Sequence, residues 1–131
     1  MAGHEVDREI ARFFDAFVEA FARFDGKAVG GLFITPGVAL KRDGSLQGFS
    51  VQQDIEAYYQ AALDRYRASD CRACRYGNLE TRFLNERSAI ATASWALLRG
   101  DGSVISHWRQ AYFLARFDGA WRAYGSAFVS A

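Results

Sequence analysis

The chain has 131 residues, of which 50% are apolar and 24% are charged, as expected for a folded globular protein rather than a disordered one. Its formal net charge of +1 excludes the strong basic field that binding to nucleic acid or to an acidic membrane usually needs. A chain of this length predicts one domain, residues 1–131, around one hydrophobic core.

The amino-terminal stretch Met1–Ile10 alternates charged and apolar residues, so we do not expect it to be a secretory signal. No apolar run approaches the length of a membrane span. These features predict a cytoplasmic protein, and the two cysteines agree, because small secreted domains usually carry more. Cys71 and Cys74 are three residues apart in a predicted strand, so we expect them on opposite faces. We therefore predict no metal and no cofactor.

Helical periodicity comes first along the chain. Phenylalanines recur at steps of three and four residues in the first segment, which predicts an amphipathic helix. A short second helix is expected to stop before Pro36-Gly37, and Asp43-Gly44 predicts the turn of a small hairpin. Ser50 with Gln53 fits a capping box at the start of the third helix. The predicted helices cover residues 6–24, 27–33 and 50–67.

From Cys71 onward the apolar period changes to two, which predicts antiparallel strands joined by short turns. Helices followed by strands indicate an α+β fold, in which a cone-like curved antiparallel sheet of about six strands wraps around the amino-terminal helices. The four predicted late strands are Cys71–Leu84, Ala89–Arg99, Val104–Phe117 and Trp121–Val129.

The third of these strands is partly apolar on both faces. Because helices cover only one face of such a sheet, the other would expose an apolar patch, and we expect a homodimer through this outer face. One face carries Ile105, His107, Arg109, Phe113 and Phe117, and the other carries Trp108, Tyr112 and Leu114.

Three segments follow one another in a recognisable order: FDAFVEAFARFDGKAVGGLF, then GVALKRDGSLQGFSVQQDIEAYYQAAL, then the closing hairpin YFLARFDGAWRAYGSAF. This order resembles the nuclear transport factor 2-like superfamily, which includes ketosteroid isomerase, scytalone dehydratase and SnoaL-like polyketide cyclases. The resemblance covers nearly the whole chain and implies a pocket between the helices and the sheet. It implies no particular activity, because this fold hosts both enzymes and binding proteins.

Ketosteroid isomerase-like sites use an aspartate base at the small hairpin, a tyrosine on the first helix and a protonated aspartate on a late strand. At the matching positions this chain has Arg42, followed by Asp43 in the turn, and Phe113. Tyr59 matches a supporting tyrosine on a later helix. Neither arginine nor phenylalanine can replace a carboxylate as proton acceptor, so that mechanism is disfavoured. The first helix offers no tyrosine but Phe17, Val18 and Phe21.

Two polar residues of the late strand are the candidate catalytic pair. His107 is a candidate acid or base, and Arg109, on the same face, would orient a carboxylate or stabilise an enolate. The alternatives are a structural histidine and an arginine in an ion pair. The expected pocket lies between the first helix, Tyr59 and this face, with Phe17, Val18, Phe21, Tyr59, Trp95 and Phe113 as ligand contacts.

Two functions are compatible with these residues. The first is an isomerase, dehydratase or cyclase acting on a small apolar carbonyl or carboxylate compound. The second is a noncatalytic ligand-binding or protein-interaction domain. Geometry separates them, because the enzyme hypothesis fails if His107 and Arg109 point to the outer face or are sealed by salt bridges.

Overall fold

The structure, a computed structural model, describes the backbone of residues 2–131 and the side chains of residues 7–131. The helices are α1 (Ala2–Ala22), α2 (Gly26–Gly30) and α3 (Gln52–Ala68). The strands are β1 (Phe33–Leu40), β2 (Leu46–Phe49), β3 (Cys71–Asn85), β4 (Ser88–Arg99), β5 (Val104–Phe117) and β6 (Ala120–Ser130).

The strands form one curved, open sheet in the order β2-β1-β6-β5-β4-β3. The predicted α+β class and six-stranded sheet are confirmed. The sheet is mixed rather than wholly antiparallel, because β1 runs parallel to β6 while the other neighbours are antiparallel. We call the face that packs against α1 and α3 the concave face and the opposite face the convex face.

Helix α1 places its row of phenylalanines on the concave face, as its periodicity predicts. Phe13, Phe14, Phe17 and Phe21 are all buried in the core. Burying a phenylalanine side chain stabilises a protein by roughly 1.5–3 kcal/mol, so this row anchors the helix to the sheet. Among the residues that the structure describes, no helix is long and apolar enough to cross a membrane.

Helix α2 lies very close to α3. A Cβ added to Gly26 would come within 2.6 Å of the Gln60 backbone, so only glycine fits at this contact. The Gln60 side chain accepts a hydrogen bond from the Gly26 amide at 2.8 Å and donates one to the Phe24 carbonyl at 3.1 Å. Asp25 caps α2 by accepting from the Ala28 amide. One glutamine side chain thus links the α1–α2 connection to α3.

Two predicted boundaries are wrong. The second helix ends at Gly30, and β1 continues through Pro36, whose peptide bond with Thr35 is cis. The register of β1 against β6 shifts across this segment, so the proline lies in an irregular part of the strand. The capping box is also absent, because Val51 occupies the N-cap position of α3 and no side chain caps it.

Cys71 and Cys74 were expected on opposite faces of a strand, and the structure corrects this. Both are free, and both are buried in the core cluster. The register of β3 against β4 shifts between Cys71 and Ala73, and this irregularity reverses the alternation. Burial raises the pKa of the Cys74 thiol to about 12, with the neighbouring Cys71 adding to the shift. A thiol in that state is a poor nucleophile.

Candidate functional site

The concave face is covered unevenly by the helices. On β5 the side chains of Tyr112 and Leu114 are buried, whereas Trp108 and Gln110 on the same face are only half-buried. Phe128 of β6 is paired with Gln110 and is also half-buried. We call the part of the concave face formed by Trp108, Gln110 and Phe128 the open end. The helices leave this end partly uncovered, so its side chains are more accessible than those of Tyr112 and Leu114.

An aromatic cluster closes the concave face beyond the open end. Phe17 lies 5.0 Å from Trp95 between ring centroids, and Phe14 lies 5.4 Å from Tyr112. Trp95 Nε1 donates a hydrogen bond of 2.9 Å to the Tyr112 hydroxyl, and both side chains are buried. Within the described residues the hydroxyl of Tyr112 has no acceptor for its own hydrogen. Burial raises the pKa of this phenol, and the bond from Trp95 opposes part of the rise.

Tyr59 brings a second phenol into the same cluster from α3. Its ring stacks on Phe33 at 5.0 Å and meets Phe17 edge-on at 6.1 Å. Burial raises the pKa of Tyr59 well above its ordinary value, and the nearby Tyr112 phenol adds to the shift. In the part of the chain that the structure describes, the Tyr59 hydroxyl forms no hydrogen bond. The interior therefore holds two neutral phenols with a hydrogen available to donate.

A small cleft lies between α3, β1 and β6, with Tyr59 and Ser126 among its lining residues. Its volume is about 10 Å³. That is at the lower limit for one water molecule, so this cleft does not hold an organic ligand as it stands.

A cation lies beside the open end. Arg42, in the turn between β1 and β2, has its guanidinium carbon 4.9 Å from the centre of the Phe128 ring. Trp108 Nε1 donates to the Gln110 side-chain oxygen at 3.2 Å, which fixes the indole against the glutamine. The open end thus combines two aromatic rings, an amide and an arginine.

The structure does not bring His107 and Arg109 to the concave face. His107 is exposed on the convex face, opposite Ala96. Arg109 forms an ion pair with Glu80 at 3.0 Å and donates to the Ser94 hydroxyl at 3.0 Å on that face. The expected grouping of this pair with Tyr59 is therefore wrong, and His107 and Arg109 are not placed to act together on a ligand in the concave face. The even-numbered residues of β5 face the helices instead.

The other predicted ligand contacts divide between the faces. Phe113 lies on the convex face, with its ring 6.1 Å from that of Tyr124, so its placement in the pocket is wrong. The other five predicted residues lie in the concave core or are half-buried against it, namely Phe17, Val18, Phe21, Tyr59 and Trp95. Sequence reasoning missed Tyr112, Trp108 and Gln110 as part of the site, although their shared parity in β5 was visible.

Among the residues that the structure describes, no carboxylate or imidazole is buried in the concave interior. Apart from aromatic and thiol side chains, Ser126 is the one buried polar residue among those that the structure describes. The two interior phenols are held neutral by burial, and no carboxylate or imidazole accompanies them. Within the same described residues, no cluster of His, Cys, Asp and Glu could hold a metal ion. This interior is built to donate hydrogen bonds.

Comparison with known proteins identifies the family. A family model described as NTF2-like protein (DUF6841) matches residues 8–130. The chain belongs to this family. No functionally curated protein matches this NTF2-like chain.

Solved structures similar to this NTF2-like chain share its fold at low identity. A domain of unknown function with a cystatin-like fold from Nostoc punctiforme has a TM-score of 0.77 and 17% identity, covering 95% of this chain and 76% of its own. Aln2 from a Streptomyces species has a TM-score of 0.78 and 14% identity, covering 96% and 91%. A protein from Novosphingobium aromaticivorans, provisionally named a scytalone dehydratase, has a TM-score of 0.69 and 13% identity, covering 100% and 89%.

Proposed function

We propose that this NTF2-like chain binds a small apolar molecule carrying a hydrogen-bond acceptor, which enters the concave face at the open end. The observation that carries the proposal is the uneven cover of β5, where Trp108 and Gln110 are half-buried and Tyr112 is buried. Two residues along a strand span about 7 Å, so a compact ligand that rests on Gln110, the residue between Trp108 and Tyr112 on this face, reaches toward the Tyr112 phenol. A buried phenol with a hydrogen to donate favours a carbonyl or carboxylate partner.

We propose ligand binding, rather than catalysis, as the function of this site. The dehydratase name given to the Novosphingobium protein suggests acid–base chemistry, as does the isomerase and cyclase resemblance of the sequence. Such reactions need a proton acceptor beside the ligand. The buried phenols of the described concave face have raised pKa values, and the carboxylate of Glu9 is bound to Arg116 and Trp121 at the opposite end of β5 from Trp108. Location in the cytoplasm stays a prediction from the sequence.

The test is a fluorescence titration with N-phenyl-1-naphthylamine, a neutral apolar dye that becomes bright in apolar surroundings. Trp108→Ala removes an aromatic wall of the open end, and Phe83→Ala is the matched control, an exposed aromatic residue of β3 that lies beside Trp121. Saturable binding to the native protein, weakened at least about fivefold by Trp108→Ala and less than twofold by Phe83→Ala, supports the proposal. Equal weakening by both variants, or no saturable binding, contradicts it.

We also propose that the convex face forms a homodimer interface. It carries the paired rings of Phe113 and Tyr124, with Ile90 opposite Phe113, as an apolar patch that no helix covers in the described chain. Light scattering at micromolar concentration should give twice the 14.6 kDa chain mass. Tyr124→Glu should halve that value, since it places a charge in the patch. A native mass of one chain would refute the proposal.

A further inference from the structure

We infer that the ligand of the open end carries an anionic group, a carboxylate for preference, and that Arg42 binds this group. The inference rests on the proposed function and narrows its ligand from any hydrogen-bond acceptor to an amphiphilic acid. The apolar body would lie against Trp108 and Phe128, and the charge would lie at the rim beside Arg42.

The position of Arg42 is the first argument. Its guanidinium lies over the Phe128 ring, and Phe128 is the strand partner of Gln110 on the concave face. The arginine is therefore fixed at the edge of the aromatic surface that a ligand would use. A cation resting on an aromatic face keeps the N–H donors along its edges available for a second partner.

The second argument is the charge around Arg42. Four arginines of the described chain are ion-paired with carboxylates, and Arg42 is not among them. The adjacent Asp43 is occupied, since its carboxylate accepts from the Ser45 amide at 2.9 Å and from the Ser45 hydroxyl at 2.6 Å. Lys41 adds a further positive charge to the same turn. Lys41, Arg42 and the ionised Asp43 together give the turn a net charge of +1, and a positive rim beside an apolar surface is the complement of an amphiphilic anion.

The third argument is the stiffness of the turn that carries Arg42. The Lys41 amide donates to the Ser45 carbonyl at 2.9 Å, and the Gly44 amide donates to the Lys41 carbonyl at 2.9 Å. These bonds, with the Asp43 side chain, hold the turn closed. A guanidinium on a fixed turn loses less freedom on binding, and its planar fork matches the two oxygens of a carboxylate.

The experiment compares two dyes that share one ring skeleton. N-phenyl-1-naphthylamine is neutral, and 1-anilinonaphthalene-8-sulfonate adds a single anionic group. Arg42→Gln removes the rim charge, and Arg122→Gln makes the same change on the exposed convex face, where Arg122 pairs with Ala115. Trp108→Ala reports whether either dye uses the open end.

We expect Arg42→Gln to weaken the sulfonate dye about two- to fivefold at low salt, the range of a solvent-accessible ion pair. Binding of the neutral dye should stay unchanged, and Arg122→Gln should leave both dyes unchanged. The loss of affinity for the sulfonate dye should be smaller at about 0.5 M salt, because the Debye length is then only about 4 Å. Displacement of the neutral dye by 1-naphthoate, but less well by its methyl ester, would extend the result to a carboxylate.

The outcomes separate the two proposals. Suppose that Trp108→Ala weakens both dyes, but Arg42→Gln leaves the ratio of their dissociation constants unchanged. The proposal of an anionic ligand is then refuted, while the proposal of a binding site at the open end is supported. The anionic-ligand proposal is also refuted if Arg122→Gln weakens the sulfonate dye as much as Arg42→Gln does, because the net charge of the protein then explains the preference for this dye. If neither dye responds to Trp108→Ala, both proposals fall. Arg42→Lys keeps the charge and should keep most of the preference, which guards against an effect of Arg42→Gln on folding.

Discussion

The buried hydrogen bond between Trp95 and Tyr112 gives a sharp test of how the concave interior is stabilised. Tyr112→Phe removes the acceptor of the Trp95 N–H and keeps the ring. Leaving a buried donor unsatisfied costs about 1–3 kcal/mol. The same change removes a phenol hydrogen that has no acceptor among the described residues, which offsets part of the loss. We therefore expect the free energy of unfolding to fall by about 1–2 kcal/mol, or a melting temperature lower by roughly 6 °C.

The measurement is urea unfolding followed by tryptophan fluorescence, comparing midpoints at constant slope. Tyr76→Phe is the matched control, since the Tyr76 hydroxyl bonds to Asp15 at 2.7 Å in an exposed position. Loss of an exposed bond should cost less than about 0.5 kcal/mol, because water replaces the partner. If Tyr112→Phe costs no more than Tyr76→Phe, the buried bond does not stabilise the interior and the reasoning is refuted.

Three further predictions concern the frame around the site. Gly26→Ala should destabilise by about 1–3 kcal/mol because its methyl group meets the backbone of α3, whereas Gly48→Ala, with open space around it, should be near neutral; equal losses in urea would contradict this. Glu9→Ala should cost about 1 kcal/mol by removing the acceptor of an arginine and a tryptophan N–H, and Glu19→Ala, which loses an exposed pair, less than half of that in the same assay. Because burial raises the pKa of Cys74 from 9.0 to about 12, its contribution to stability is present below pH 9 and is lost as pH rises toward 12. The stability advantage of the native protein over Cys74→Ala should therefore narrow between about pH 8 and pH 10.5, and a constant difference would contradict the shift.

The element order was predictable because local signals and tertiary packing agree. The phenylalanine row of α1 has no competing interpretation, and strand β5 begins and ends where the alternation from Val104 to Phe117 begins and ends. The turns between the late strands contain Gly102 and Gly119, both with positive φ, as turn chemistry requires. In these segments the local preference of the residues and the packing of the fold agree.

The face of β5 could not be predicted, because alternation defines two faces without saying which is inside. Phe113 and Tyr112 are equally apolar neighbours, and only contacts from α1 decide that Tyr112 is the buried one. His107 was a candidate because imidazole can act as an acid or a base, but it lies on the same convex face of β5 as Phe113. The predictions for the two cysteines and for Pro36 were wrong for a different reason. Each lies at an irregularity in its strand, and such an irregularity changes the alternation of side chains without a sequence signal of its own.

The alanines of β4 bear most directly on where a ligand fits. Small side chains such as Ala89, Ala91 and Ala93 either leave a cavity beneath a helix or let the helix approach the sheet closely. All three are fully buried on the face that the phenylalanines of α1 cover, which favours close approach over this stretch. This is why the proposed ligand site lies at the open end, where the helices no longer cover the sheet. There the resemblance to ketosteroid isomerase expects a carboxylate base, and the chain has Arg42. Under the proposed function, this change from a carboxylate to a guanidinium would make the rim a binding site for an anion instead of a site of proton transfer.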